Sequence, residues 1–447
     1  MVKVKLDNVL RDVSELYGQS DGVHTACFLH PSLLQAEPRF GWSRLTSCRG
    51  RWMLDCISFV DFMLTSSLHS ATRPSIELVV KALGIGISKT RLGSSKAVLG
   101  LAHQHHPRFN TNLQKTTGHH NRNVTKHTLT TPASATTMSE PTIEEGWLTL
   151  PDGTKLYTKT THPATATPTK ARLAFIHGFS EHIGFYAPFF TILAKAGIAV
   201  YAFDQRGWGR SAPEKRHRGL TGDTTQVLSD ITTFLQTIPS SSPPTPLFLM
   251  GHSMGGAEVL MYAATAQPLA SQIRGFLAEA PFVALHPKSR PWKSTVLLGR
   301  LAGKLLPKWQ MVNKLDPNLL SRDPAHAARV EADEMCHNTG TLEGLAGMLD
   351  RAAMLEDGRA VVGEGVGEGG KTRLWVGHGT ADGICDFEAT KRMFGRVQAE
   401  DRELRAYEGW YHQLHVEVGE DKVRYAGDVV KWILERSGPL EGERSKL

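Results

Sequence analysis

The residues best suited to chemistry form a Gly-His-Ser-Met-Gly segment at positions 251–255. An apolar run at 247–250 predicts a buried strand before it, and the residues after it predict a helix. A sharp strand-to-helix turn of this kind strains the serine backbone and exposes the hydroxyl. Both glycines are needed, because a Cβ at Gly251 or Gly255 would collide where strand and helix approach each other. The segment predicts Ser253 as a nucleophile.

A serine hydroxyl is a poor nucleophile until a base, itself oriented by a carboxylate, removes its proton. The acid is expected in a loop after a later strand, and Asp382 follows the predicted strand 373–376. Asp386 is the alternative acid. We interpret it instead as an N-terminal residue of a helix, where the helix dipole favours a negative charge.

Two histidines follow the last predicted strand, 404–407, and either could supply the base. His412 comes first after a glycine turn and is the predicted base. His415, three residues later, is predicted to be a pocket residue or a neighbour of the base. The histidines at 177, 252 and 378 are interpreted as packing and hydrogen-bonding residues, because none follows the final strand.

An acyl-transfer reaction places negative charge on the carbonyl oxygen, which two backbone N–H groups must meet. The N–H of Met254 and that of Phe179, in the loop after the predicted strand 173–176, are the expected donors. The glycine-rich run 204–211 lacks the lysine and spacing of a phosphate loop and is interpreted as a structural loop.

Short apolar strands alternate with helix-length segments after residue 145, which predicts a mostly parallel central sheet flanked by helices. A hairpin at 147–158 precedes them. The alternation stops at about 285 and resumes after 357, and the residues between are predicted to be a helical, amphipathic cap inserted after the sixth strand. This order is typical of the α/β-hydrolase fold.

Residues 1–137 have no sustained hydrophobic periodicity and carry 16 − 8 = +8 of charge, which leaves 35 − 36 = −1 for residues 138–447. We expect a disordered extension or an over-extended gene model, with residues 138–447 as the hydrolase domain. The basic excess comes without a recognisable nucleic-acid motif, so no nucleic acid is an expected partner.

Five cysteines without disulfide or metal spacing favour a reducing compartment and predict neither a metal site nor a cofactor. Acidic residues near the N-terminus argue against a signal peptide, and no apolar run reaches the ~18 residues of a membrane helix. We expect a cytoplasmic protein, soluble or peripheral to a membrane or lipid droplet.

Five motifs occur in the right order to resemble the monoacylglycerol lipase and lysophospholipase branch of the α/β hydrolases, also called the serine aminopeptidase S33 type. They lie at 177–182, 204–211, 251–256, 379–382 and 407–412. The resemblance implies a serine carboxylester hydrolase that cleaves monoacylglycerols or similar single-chain lipid esters through an acyl-enzyme. It also implies an amphipathic cap over a hydrophobic acyl tunnel.

The resemblance further implies that Glu181 and His415 meet the glycerol head group. The arginine that the family places before Tyr186 is Phe185 here, which predicts a less polar head-group pocket. In the cap, leucines alternate with basic residues over 295–309, as suits a helix that lies on a lipid surface. The alternative is that these leucines pack onto the core.

Four other functions occur on this fold. A lysophospholipase or a short-chain carboxylesterase would use the same fold and nucleophile. A ligand receptor with residual hydrolysis belongs to a different class, and fold analogy alone does not separate it from an enzyme. A dehalogenase is disfavoured, because its nucleophile is an aspartate and not Ser253.

Overall fold

Eight strands form one central sheet in the computed structural model, which describes residues 140–240 and 244–440. The predicted N-terminal extension, 1–137, lies outside the described residues. Two further short strands pair with each other outside this sheet. In chain order the strands are β1 (Thr142–Thr149), β2 (Lys155–His162), β3 (Ala171–Ile176), β4 (Ile198–Phe203), β5 (Leu247–His252), β6 (Ile273–Glu279), β7 (Gln310–Val312), β8 (Thr339–Thr341), β9 (Arg373–Gly379) and β10 (Asp401–Tyr407).

The central sheet has the order β1-β2-β4-β3-β5-β6-β9-β10. β1 and β2 form the predicted hairpin, β2 runs antiparallel to β4, and the other neighbours are parallel. β3, β5, β6 and β9 are buried along almost their whole length, as apolar parallel strands covered on both faces must be. The carboxyl ends of these four strands therefore meet at one edge, where the site lies.

Helices cover both faces of the sheet. They are α1 (Ala187–Lys195), α2 (Thr224–Gln236), α3 (Met254–Ala264), α4 (Lys293–Leu305), α5 (Pro324–Ala332), α6 (Leu342–Asp357), α7 (Phe387–Gly395) and α8 (Asp421–Glu435). α1 and α8 share one hydrophobic core with the sheet, and α2, α3 and α7 share another on the opposite face. This arrangement agrees with the predicted sheet flanked by helices.

The predicted cap, residues 285–357, contains α4, α5 and α6 together with the β7–β8 ribbon, so it is not wholly helical as expected. α4 ends at Leu305, before Pro307, because a proline ring cannot continue the helix. The guanidinium of Arg351 on α6 lies 3.0 Å from the carboxylate of Glu258 on α3, and both are buried. Burial raises the pKa of Glu258 to about 7. The cap is thus attached to the helix that follows Ser253.

No helix in the described part of the chain combines the length and apolar character needed to cross a bilayer.

Candidate active site

Ser253 lies in the turn between β5 and α3 with a backbone φ of 53° and ψ of −114°, a conformation that costs a non-glycine residue about 1–3 kcal/mol. Its N–H donates to the carbonyl of Glu279 at 2.9 Å. A Cβ at Gly251 would overlap the carbonyl oxygen of Gly255, and one at Gly255 would overlap that of Ile176. The close approach predicted from the two glycines is confirmed.

The structure brings the three residues of the predicted triad together. The Nε2 atom of His412 lies 2.9 Å from the Oγ of Ser253, and its Nδ1 lies 2.7 Å from Oδ2 of Asp382. All three residues are buried. Asp386 instead caps α7, where its carboxylate accepts the N–H of Glu388 at 3.0 Å, as interpreted from the sequence.

The Asp382 carboxylate receives more donors than the sequence indicated. Its Oδ1 accepts the backbone N–H groups of Ile384 and Cys385 at 2.8 and 2.9 Å, and its Oδ2 is also 3.0 Å from Nε2 of His378. Burial alone would raise the pKa of Asp382, but the charge of His412 and these hydrogen bonds hold it well below its usual range. Asp382 is therefore an anion with its lone pairs directed at two imidazoles.

Burial and the Asp382 carboxylate shift the pKa of His412 in opposite directions. Desolvation by itself would lower the pKa of the imidazole, whereas the Asp382 carboxylate raises it well above the usual value. The ring can therefore take a proton from Ser253 and remain stabilised while it carries the charge.

The loop after β3, residues 177–180, lies against the nucleophile and is called the oxyanion loop below. A Cβ at Gly178 would be 3.2 Å from the Cβ of Ser253. The side chains of Phe179 and Met254 pack together with Trp208. Within the described residues, the N–H groups of Phe179 and Met254 have no hydrogen-bond acceptor, whereas the N–H of Gly178 donates to Glu181. Both predicted donors are thus free to meet an oxygen beside Ser253.

The loop after β4 is hydrogen-bonded to the oxyanion loop. The Asp204 carboxylate accepts the N–H of Ile183 at 2.8 Å and that of Arg210 at 2.7 Å. The N–H of Gln205 donates to Nε2 of His177 at 2.9 Å. Both the loop 204–211 and His177 have the structural roles interpreted from the sequence.

A pocket opens beside Phe179, between the oxyanion loop and the cap. Glu181 and Phe185, two of the predicted substrate-binding residues, line it. The Phe185 ring packs against that of His182, with 4.6 Å between the ring centroids. The cap side of the pocket is formed by Lys314, Leu315, Pro317, Leu320, Val330, Glu331, Cys336 and Asn338.

His415 is not among the residues that line this pocket, so its contact with the head group stays a prediction. Its side chain is fully buried, and its Nδ1 lies 2.7 Å from Oε1 of Glu279. Its ring stacks on Tyr186 with 4.4 Å between centroids. The sequence could not show this orientation, because Glu279 belongs to β6, far away along the chain.

Gln413 is a pocket residue that sequence reasoning missed. Its position directly after the predicted base was the available signal. Sequence reasoning also missed Cys385, whose Sγ lies within 4.8 Å of a carboxylate oxygen of Asp382 and of a ring nitrogen of His412. Its thiol is buried, and burial raises its pKa.

Three groups of ligand-type side chains occur among the described residues, and one of them is the Asp382, Cys385 and His412 cluster. In the second, Nδ1 of His182 accepts the N–H of Gly184, so Nε2 carries the proton and donates to Asp333. A metal-bound histidine normally donates from its other nitrogen, so this ring is poorly suited to a metal. The third group, around His252, is enclosed in the core.

The serine aminopeptidase S33 family model matches residues 167–419. The chain is 32% identical over 297 residues to a putative monoglyceride lipase of Schizosaccharomyces pombe, which covers 65% of this chain and 74% of the relative. It is 30% identical over 263 residues to a monoacylglycerol lipase of Mycolicibacterium smegmatis, covering 58% and 86% of the two chains.

Two solved structures have the same fold. A soluble variant of monoglyceride lipase from Saccharomyces cerevisiae superposes with a TM-score of 0.59 at 24% identity, covering 69% of this chain and 99% of that one. The monoacylglycerol lipase of Paleococcus ferrophilus gives a TM-score of 0.54 at 28% identity, covering 63% and 99%. The predicted fold class is confirmed.

Proposed function

We propose that this chain, which belongs to the serine aminopeptidase S33 family and to its monoacylglycerol lipase-like α/β hydrolases, hydrolyses monoacylglycerols to a fatty acid and glycerol. One observation carries the proposal. The hydroxyl of Ser253, in a strained turn, lies 2.9 Å from an imidazole whose other nitrogen is bonded to a buried carboxylate.

In the proposed reaction, Oγ of Ser253 attacks the ester carbonyl carbon while Nε2 of His412 takes the hydroxyl proton. The carbonyl oxygen becomes an anion and receives the N–H groups of Phe179 and Met254. Asp382 stabilises the imidazolium. When the C–O bond breaks, His412 returns the proton to the glycerol oxygen, and the acyl group remains on Ser253.

Deacylation repeats the same steps with water as the nucleophile. His412 takes a proton from the water, the hydroxide attacks the acyl carbon, and the proton passes to Oγ of Ser253 as the fatty acid leaves. Both half-reactions need one base and one pair of N–H donors, so the same residues serve each.

We place the glycerol head group in the pocket beside Glu181 and Phe185. Both oxygens of Glu181 already accept hydrogen bonds, from the N–H of Gly178, from the hydroxyl of Tyr186 and from Gln413. The apolar Phe185 ring occupies part of the same wall. We therefore expect weaker discrimination for glycerol than an arginine at this position would give, and tolerance of other alcohols.

We also propose that the cap contacts the lipid surface that supplies the substrate. Trp292, directly before α4, is 60% exposed, and Leu305 at the end of α4 is 44% exposed. Lys304 lies in the last turn of the same helix. Exposed apolar side chains next to basic ones suit the interface of an anionic bilayer.

A labelling and substrate panel tests the activity. The full chain should react with a fluorophosphonate and hydrolyse monoacylglycerols, whereas Ser253→Ala should do neither. His412→Ala should lose roughly 10⁴–10⁶ in kcat. Faster turnover of a lysophospholipid or of a short-chain ester at equal acyl length would favour those alternatives. Labelling without turnover of any ester would favour a receptor.

Vesicle sedimentation tests the surface contact. Binding of the full chain to vesicles of phosphatidylcholine and phosphatidylserine should weaken in a Trp292→Ala, Leu305→Ala double variant. Val423→Ala is the matched control, because Val423 is 45% exposed on α8, outside the cap. Equal binding by the double variant and the control would exclude this part of the cap as the contact.

A further inference from the structure

Three buried side chains connect the cap to the two loops that surround Ser253. Nε2 of His326 on α5 lies 2.5 Å from Oε1 of Gln413, and Nε2 of Gln413 lies 2.5 Å from Oε1 of Glu181. The other carboxylate oxygen of Glu181 accepts the N–H of Gly178 at 2.8 Å. The connection therefore runs from the cap, through Gln413 next to the base His412, to Gly178 next to the oxyanion donor Phe179.

The direction of each hydrogen bond follows from chemistry. Nη2 of Arg329 lies 3.3 Å from Nδ1 of His326, and a guanidinium only donates, so Nδ1 accepts and Nε2 carries the proton. Burial lowers the pKa of His326 to about 4, so the ring is neutral near pH 7. Oε1 of Gln413 then accepts from His326, and its NH₂ group faces the acceptor oxygen of Glu181.

The backbone around Gln413 is attached to the same part of the cap. Its N–H donates to the carbonyl of Leu320 at 2.7 Å. The hydroxyl of Ser321 donates to the carbonyl of Val416 at 3.1 Å, and Nε of Arg322 lies 3.0 Å from the Glu417 carboxylate. The cap segment 320–326 is therefore bonded along the base loop, which we define as residues 411–417.

Gln413 lines the pocket, but both polar atoms of its side chain already have protein partners. An amide carries two N–H donors and two acceptor lone pairs, and these two bonds use one of each. The amide thereby joins an N–H of the cap to a carboxylate that itself holds the oxyanion loop.

We propose that Gln413 is a positioning residue through which α5 holds the base loop and the oxyanion loop at a fixed separation. The inference rests on the proposed serine hydrolase function. A displacement of about 1 Å at a reacting group can cost 10²-fold in rate. Loss of the amide should therefore slow acyl transfer for every ester, whatever its head group.

The test uses the full chain and three variants. Gln413→Leu keeps a side chain of similar size and removes both hydrogen bonds, whereas His326→Leu removes only the donor. His326→Gln places an N–H near the position of Nε2. We would measure kcat and KM for a glycerol ester and for an alkyl ester of the same acyl chain. The rate of fluorophosphonate labelling and the melting temperature would be measured in parallel.

Gln413→Leu should lower kcat and the labelling rate by about 10- to 100-fold on both esters, with little change in KM. His326→Leu should do the same to a smaller extent, and His326→Gln should recover most of the loss. The rate losses of the two leucine variants should not multiply in the double variant, because both substitutions break the same connection. If Gln413→Leu fails to fold, the comparison of His326→Leu with His326→Gln still decides, through the labelling rate.

Two outcomes would overturn the inference. A raised KM for the glycerol ester alone, at unchanged kcat, would make Gln413 a head-group contact. A lower melting temperature with an unchanged labelling rate per folded molecule would make its role purely structural. Wild-type protein that is labelled but hydrolyses no ester would contradict the proposed function instead. The labelling rates of the variants would then still measure positioning.

Discussion

The imidazole of His415 donates from Nδ1 to Oε1 of Glu279 over 2.7 Å, and neither side chain is accessible to solvent. The backbone N–H of His415 donates to the same oxygen at 3.2 Å. The carbonyl of Glu279 accepts the N–H of Ser253. Glu279, at the end of β6, is therefore hydrogen-bonded both to the base loop, through His415, and to the nucleophile Ser253.

Removal of one partner of the pair formed by His415 and Glu279 should destabilise the protein more than it impairs the chemistry. His415→Ala would remove the imidazole donor of the buried Glu279 carboxylate and leave it the backbone N–H, and losing a hydrogen bond to a charged group typically costs about 1.5–3 kcal/mol of unfolding free energy. Urea unfolding of the variant measures this loss, with His162→Ala, a more exposed histidine, as the control. Turnover by the folded variant should far exceed that of His412→Ala. If the two variants are equally inactive, the assignment of the base is wrong.

As the pH is lowered, the rate of ester hydrolysis should begin to fall while the pH is still above 6.5. Only neutral His412 accepts the serine proton, and Asp382 raises the pKa of His412 above its usual value. The acid limb of kcat/KM should therefore have its midpoint above 6.5. Asp382→Asn should move the midpoint down and lower kcat by roughly 10⁴-fold. A wild-type midpoint at or below 6.5 would contradict the charge interaction described here.

Gly255→Ala should abolish activity, because the added methyl group would overlap the carbonyl oxygens of Ile176 and His177. The turn would have to open, and Ser253 would move away from its base. Gly299→Ala on α4 is the matched control. Apart from its chain neighbours and the backbone of its own helix, no atom lies within 4 Å of its added Cβ, and alanine favours a helix over glycine by about 1 kcal/mol. Fluorophosphonate labelling of both variants would show whether the predicted difference holds.

Phe185→Arg should increase the preference for glycerol esters over alkyl esters by about 1–2 kcal/mol, if its donors meet the glycerol hydroxyls. Phe185 lines the pocket next to Glu181, so a guanidinium there would face the head group. The ratio of kcat/KM for the two esters at one acyl length is the measurement. An unchanged ratio would place the head group elsewhere.

The predicted triad could be located from the sequence because its members follow strands whose order the alternating pattern reveals. Ser253 is further marked by glycines whose close approach is local. The orientation of His415 was not predictable, since it depends on Glu279, a residue 136 positions away. The role of Gln413 depends likewise on His326, 87 positions away. The hydrophobic periodicity of the sequence identifies helices and strands, but it does not show which distant side chain a loop residue contacts.

The hydrogen bonds between the cap segment 320–326 and the base loop have a consequence for chimeric enzymes. Arg322 and Glu417, like Leu320 and Gln413, are partners across two stretches of sequence about 95 residues apart. A graft that replaced only the cap would separate these partners from the loop they hold. Domain-shuffling experiments should therefore transplant both stretches together, as one recombination unit.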